Sequence, residues 1–286
     1  MAAHREHTYM SRDGLTLFYR EYGESEGGVP VVCLPGITRN SRDFEDIAAH
    51  LAQHHRVLAP DLRGRGFSEH DSNWRNYHPQ TYVDDVMSLL DHRKIDRVIL
   101  LGTSLGGLVS TVLTKQHGER VVAVILNDIG PEVGAAGLER IKTYIGRMPP
   151  VASWDEAVAQ ARDIYGHAMP GLSNEEWRRL VRRGYREDEH GVPRLDMDPA
   201  IGDAARKVGA ELEDPWVLFS GLDEKPLLVI QGELSDILTD DIVERMRARK
   251  PDLEHVKVAN RGHPPLLDEP ECIAAIDSFI RDANAR

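Results

Sequence analysis

The sequence predicts an α/β fold with a mainly parallel, eight-stranded sheet flanked by helices and a helical segment inserted late in the chain. Three observations carry this. Short apolar runs recur along the chain, most of them followed by a helical pattern. Most of these runs are apolar at every position, as in strands covered on both faces. The alternation stops between about Pro131 and Lys225 and resumes with "KPLLVIQG".

The elements follow in order. "HTYMSRDGLTLFYREYG" alternates around Asp13-Gly14 and reads as a hairpin. "VPVVCLPG", "HRVLAPD", "DRVILLG" and "RVVAVILND" read as buried strands, with "KPLLVIQG" and "EHVKVAN" completing the set. In "QTYVDDVMSLLDHRK", Tyr82, Val83, Val86, Leu89 and Leu90 share one helical face. "SLGGLVSTVLTKQHG" is a helix with Gly118 as its expected C-cap, and "PECIAAIDSFIRDA" is the last helix. The interrupted region shows helical patterns and no convincing strand. It holds Trp154, Trp177 and Trp216, three of the four tryptophans. The expected organisation is a core of residues 1–131 and 226–286 under a cap of residues 132–225. The cluster Arg178, Arg179, Arg182 and Arg183 reads as a solvated helix face paired with nearby acids.

Composition excludes several classes. The 286 residues carry 47 acidic and 35 basic side chains, a formal charge of −12. Nucleic-acid and anionic-membrane surfaces need clustered positive charge, so neither is an expected partner. The two cysteines, Cys33 and Cys272, make no disulfide framework; Cys33 lies in an apolar run and reads as core packing. "MAAHREHTYMSRDG" has no apolar segment of the signal-peptide kind, and no run is long enough to span a bilayer, so the expected location is cytoplasmic. No spacing of metal-ligand type appears, and neither metal nor cofactor is expected.

The chemistry concentrates in "RVILLGTSLGGLVSTVLTK". Gly102-Thr103-Ser104-Leu105-Gly106 fits G-x-S-x-G between a strand and a helix. A tight turn there lifts the Ser104 hydroxyl above the sheet, and the N–H of Leu105 opens the helix where negative charge is favoured. A serine nucleophile needs a base, and the base an orienting acid. His263 in "NRGHPP" stands just past the last strand and is the best placed of the thirteen histidines. His78, ahead of Pro79, is a loop residue that could line a pocket. Two acids follow strands: Asp236 after "KPLLVIQG" and Asp128 after "RVVAVILN". The turn at Pro35-Gly36 offers the N–H of Ile37 as a second oxyanion donor, while "PDLRGRGFS" lacks a P-loop lysine and reads as a structural turn. Arg39 either binds a substrate carboxylate or ties its loop to an acid such as Asp128, Asp128 is otherwise a substrate-binding residue or a hydrogen-bonded structural acid under the cap, and Trp216 is either a pocket wall or cap-to-core packing.

Over nearly the whole chain the sequence resembles the α/β-hydrolase superfamily, through "LPGITRNSRDFEDIAAHL", "RVLAPDLRGRGFSE", "GTSLGG", "LNDIGPEV", "GELSDIL" and "RGHPPLLDEP". It is similar to capped bacterial hydrolases in which esterases, lactonases and carbon–carbon bond hydrolases lie close together. The resemblance implies Ser104 as nucleophile, His263 as base, Asp236 as acid and Ile37 and Leu105 as oxyanion donors. Asp236 is favoured over Asp128 because the family's acid usually follows the later strand. Pro35 departs from the frequent His-Gly of the oxyanion turn. A serine nucleophile argues against dehalogenase and epoxide hydrolase chemistry, which need a carboxylate.

The expected activity is hydrolysis of carboxylic esters with small to medium acyl groups. Its rivals are lactone or carbon–carbon bond hydrolysis on the same residues, with Arg39 as the cation for a substrate carboxylate, and a ligand sensor with little turnover. The expected partner is a small-molecule ester; monomer and homodimer stay equally open.

Overall fold

A computed structural model describes residues 4–24, 28–208 and 213–285. The strands are β1 Arg5–Met10, β2 Thr16–Tyr22, β3 Val31–Leu34, β4 Val57–Pro60, β5 Val98–Thr103, β6 Val121–Asn127, β7 Tyr185–Glu187, β8 Pro193–Leu195, β9 Leu227–Gly232 and β10 Glu254–Val258. The helices are α1 Glu45–Leu51, α2 Pro79–His92, α3 Leu105–Gln116, α4 Ala135–Tyr144, α5 Trp154–Tyr165, α6 Asn174–Gly184, α7 Ala200–Val208, α8 Pro215–Phe219, α9 Asp240–Arg249 and α10 Pro270–Asn284.

Eight strands form one sheet in the order β1-β2-β4-β3-β5-β6-β9-β10. The β1–β2 hairpin is antiparallel and joins through an antiparallel β2–β4 pair; from β4 onward every pair is parallel. Val98, Ile99, Leu100 and Leu101 of β5 are all fully buried, because helices cover both faces of the sheet. Each such side chain contributes roughly 1.5–3 kcal/mol by leaving water. Cys33 belongs to one face's core, and burial pushes its thiol up, away from thiolate chemistry.

Local chemistry sets the helix ends. His78 is the N-cap of α2: its Nδ1 accepts the Gln80 N–H at 3.1 Å, with Pro79 at the first helical position. It is a structural residue rather than a pocket wall. The C-cap of α3 is His117, while Gly118 opens a short 3-10 turn. In α10, Cys272, Ile276, Phe279, Ile280 and Ala283 recur at helical spacing and cover the sheet.

The inserted region differs from expectation in two ways. It contains a two-stranded antiparallel ribbon, β7–β8, with Tyr185 opposite Leu195. It also ends before residue 225, since α8 packs on α3, and its Leu218 and Phe219 belong to the apolar cluster under the sheet. The chain is back on the core by Pro215.

Polar groups fasten the insertion to the core. Asn40, almost fully buried, donates from Nδ2 to the Arg183 carbonyl at 2.9 Å. Arg183 pairs with Asp46 at 2.5 Å, Arg179 with Asp268 at 3.1 Å, and Arg42 with Asp196. Of the predicted solvated arginines, Arg178 pairs with Asp155 at 3.3 Å and Arg182 lies over the Trp154 ring, but Arg183 is buried against the core. No described helix is long and apolar enough to cross a membrane.

Candidate active site

Ser104 sits between β5 and α3 with φ 52° and ψ −116°, a conformation disfavoured for a side-chain-bearing residue. Crowding explains the glycines around it. A Cβ on Gly102 would lie 2.4 Å from the Gly106 backbone, and one on Gly106 would lie 2.0 Å from the Leu34 carbonyl oxygen. A Cβ on Gly107 would meet Ile129 at 2.3 Å. The helix therefore starts hard against the neighbouring strand, and the turn projects the serine. Leu105 is the first residue of α3, where N–H groups have no partner within the helix.

His263 lies past β10 and is 6% exposed. Its Nε2 is 3.0 Å from Ser104 Oγ, and its Nδ1 is 2.8 Å from Asp128 Oδ2. Asp128 follows β6 with φ 56° and is fully buried. Its Oδ1 accepts the Gly232 N–H at 2.7 Å, and its Oδ2 also accepts the Ser235 hydroxyl at 2.5 Å. A buried carboxylate that only accepts requires the imidazole proton on Nδ1, which leaves Nε2 free to take a proton from Ser104.

The acid beside His263 is thus Asp128, and the expectation of Asp236 is corrected. Asp236 points instead at Arg140 of α4, receiving Nε at 2.7 Å and Nη2 at 2.6 Å. Burial opposes its charge, but the Arg140 hydrogen bonds prevail and hold the Asp236 carboxyl below the usual range. The loop after β9 reaches Asp128 through Gly232 and Ser235, so it supports the acid rather than supplying it.

Ser104 and His263 open into a cavity of about 80 Å³. The core contributes Gly36, Ile37 and Thr38 to its lining, and the insertion contributes Ile141, Tyr144, Tyr165, Met169 and Leu180. The Tyr144 and Tyr165 rings meet edge-on at 5.8 Å, and burial pushes the Tyr144 phenol up, keeping it neutral. These tyrosines were not foreseen, since helical pattern alone does not say which face of an inserted helix looks down.

Ile37 lines the cavity, and its carbonyl accepts Arg65 Nε at 2.8 Å. Arg65 is fully buried and also donates to the Arg63 carbonyl at 2.8 Å, so the "RGRG" stretch clamps the turn that carries Pro35. Arg39 reaches the cavity, but Asp43 accepts its Nε at 2.7 Å and its Nη2 at 2.5 Å, and Nη2 also donates to the Leu180 carbonyl at 3.2 Å. Its acid partner is Asp43, not Asp128. Trp216 lies on α8 away from the cavity, where its indole donates to Glu132 and its ring packs edge-on against Phe219. Among the described residues no cluster of His, Cys, Asp or Glu is arranged to hold a metal.

A strand-turn-helix serine, an imidazole and a buried aspartate on a sheet of this order define an α/β hydrolase. The family described as alpha/beta hydrolase fold matches residues 29–270, and the chain belongs to it. Over 277 residues the chain is 31% identical to 3-hydroxybutyrate-oligomer hydrolase of Cupriavidus necator, covering 93% of this chain and 92% of the relative. Over 267 residues it is 26% identical to 2-(acetamidomethylene)succinate hydrolase of Mesorhizobium japonicum, covering 93% and 92%. Among solved structures it is similar to an alpha/beta hydrolase from Novosphingobium aromaticivorans, with TM-score 0.93 and 40% identity over 98% of this chain and 99% of that one.

Proposed function

We propose that this hydrolase cleaves carboxylic esters through an acyl-enzyme on Ser104. Ser104 Oγ attacks the ester carbonyl while His263 Nε2 takes its proton. Asp128 fixes the imidazole tautomer and stabilises its positive form. The N–H groups of Ile37 and Leu105 hold the oxyanion. His263 then protonates the leaving alkoxide and activates the water that releases the acid.

The observation that carries this reading is the unbroken hydrogen-bonded chain Ser104–His263–Asp128 opening into a cavity with largely apolar walls. The relative named for oligomers of 3-hydroxybutyrate, a hydroxy acid whose units join through ester bonds, supports an ester substrate. The carbon–carbon reading asks for a free cation, and Arg39 is already paired with Asp43.

The test is initial-rate hydrolysis of p-nitrophenyl esters from acetate to decanoate by wild type and Ser104→Ala. The expected loss in the variant is at least about 10⁴-fold in kcat, given how far removal of a nucleophile lowers turnover. Residual activity within tenfold of wild type would end the mechanism. A folded wild type that binds these esters without turning them over would favour the sensor.

A further inference from the structure

The insertion contains a second, larger cavity of about 350 Å³. Its walls are mostly apolar: Met148, Pro149, Val151, Leu195 and Met197, with Tyr185 at one side. Pro149 and Arg194 are exposed, so it opens to solvent beside the β7–β8 ribbon.

A space of about 20 Å³ lies between this cavity and the one at Ser104. It shares Arg39, Tyr165 and Leu180 with the Ser104 cavity, and Met148, Tyr185 and Leu195 with the outer one. Because the small space shares walls with each cavity, it adjoins both of them. The inner cavity is small for a ligand site, whereas the outer one falls in the usual range. A substrate that fills only the inner cavity leaves most of the apolar surface of these spaces unused.

We propose that the outer cavity is the far subsite for a linear apolar chain, running from the ester at Ser104 past Arg39 and Tyr165 to Met148 and Leu195. The substrate class is then an ester with one extended, unbranched arm. The inference rests on the ester reading for the reacting bond, but the subsite itself is a binding claim. Arg39 and Tyr165 stand at the neck, with Arg39 Nε and Nη2 already donating to Asp43. The walls beyond the neck supply hydrophobic contact.

The experiment compares wild type, Met148→Trp and Met148→Ala. Met148 lines the outer spaces and not the Ser104 cavity. One series lengthens the acyl arm as p-nitrophenyl alkanoates; the other lengthens the alcohol arm as alkyl butyrates. In one of the two, wild-type kcat/KM rises about three- to fourfold per added methylene until the cavity is filled. Met148→Trp flattens that rise while short esters react at wild-type rate, which also shows that the variant is folded. Met148→Ala keeps the rise. An unchanged profile in Met148→Trp, or a wild type that falls off with length in both series, overturns the proposal.

Calorimetry of octan-1-ol binding to Ser104→Ala, with and without Met148→Trp, separates the two readings. Binding that depends on Met148, beside a folded wild type that cleaves no ester, keeps the subsite and removes the ester reading. Ester cleavage with no octan-1-ol binding and flat profiles does the reverse.

Discussion

Replacing Asp128 with asparagine probes the site most sharply. Asp128 Oδ1 accepts the Gly232 N–H, while Oδ2 accepts both the Ser235 hydroxyl and His263 Nδ1. Asparagine offers one oxygen and one NH₂ group. Turning the NH₂ toward Gly232 sets two donors face to face in a fully buried place, at a desolvation cost of about 1–3 kcal/mol. The oxygen therefore stays on Gly232, and the NH₂ faces His263 Nδ1. The imidazole must then carry its proton on Nε2, facing Ser104, and loses its ability to accept. A tautomer error of this kind lowers kcat about 10⁴-fold, or about 5.4 kcal/mol at 1.36 kcal/mol per decade. Asp236→Asn removes only a partly exposed ion pair of about 1 kcal/mol, so its kcat stays within about fivefold of wild type. The assay is p-nitrophenyl butyrate hydrolysis, with thermal melting to show both variants folded. Asp128→Asn within tenfold of wild type, beside an Asp236→Asn that collapses to the level of Ser104→Ala, would refute the reasoning.

Three further outcomes follow from the packing. Gly106→Ala drives a Cβ to 2.0 Å from the Leu34 carbonyl oxygen, so both melting temperature and activity fall, and a variant with wild-type values of both would contradict the crowded turn. Arg63 is 1% exposed and pairs with Asp13, Asp71 and Asp85. Arg63→Ala strands these carboxylates and costs about 3–5 kcal/mol, read as a shift of the denaturant midpoint. The Arg140–Asp236 pair has a carboxyl depressed in the folded state, so its stabilisation is complete above the unfolded value of about 3.9 and is lost as pH falls through the lower native value. The melting gap between wild type and Asp236→Asn should match at pH 7 and pH 5 and close at pH below about 4; a gap that instead widens on acidification would reverse the assignment.

Most strands of the sheet were legible because β3, β4, β5, β6 and β9 are apolar on both faces, while the β1–β2 hairpin showed in its alternation around Asp13-Gly14. The β7–β8 ribbon was not: Tyr185–Glu187 and Pro193–Leu195 are three residues each and largely polar. Their pairing depends on the turn between them, and so few positions display no period. The boundary near residue 225 lies earlier in the structure because α8 is too short to show a period, and what ties it to the core is the burial of Leu218, Phe219 and Leu222 beside α3. At the site, Ser104 and His263 stand at strand ends with distinctive neighbours. The acid was ambiguous because Asp128 and Asp236 both follow strands. What separates them is side-chain direction: one residue apart, Ser235 faces Asp128 while Asp236 faces Arg140. Strand order cannot report that.

The proposed reacting set and the inserted segment are rooted in different stretches of chain. Ser104, His263, Asp128 and the Gly232 and Ser235 groups that steady the aspartate all come from the sheet and its loops, and the roof departs after Pro131 and is back on the core by Pro215. The architecture is therefore modular in a practical sense. A roof from another family member, spliced between those two prolines, would replace Tyr144, Tyr165 and Leu180 and the chamber beyond them in a single graft. The Ser104–His263–Asp128 chain lies outside the exchanged stretch, but its loops touch it, since Gly262 donates to the Ala168 carbonyl and Asp236 pairs with Arg140; a graft that keeps those two contacts leaves the hydrogen-bonded chain in place while exchanging the walls above it.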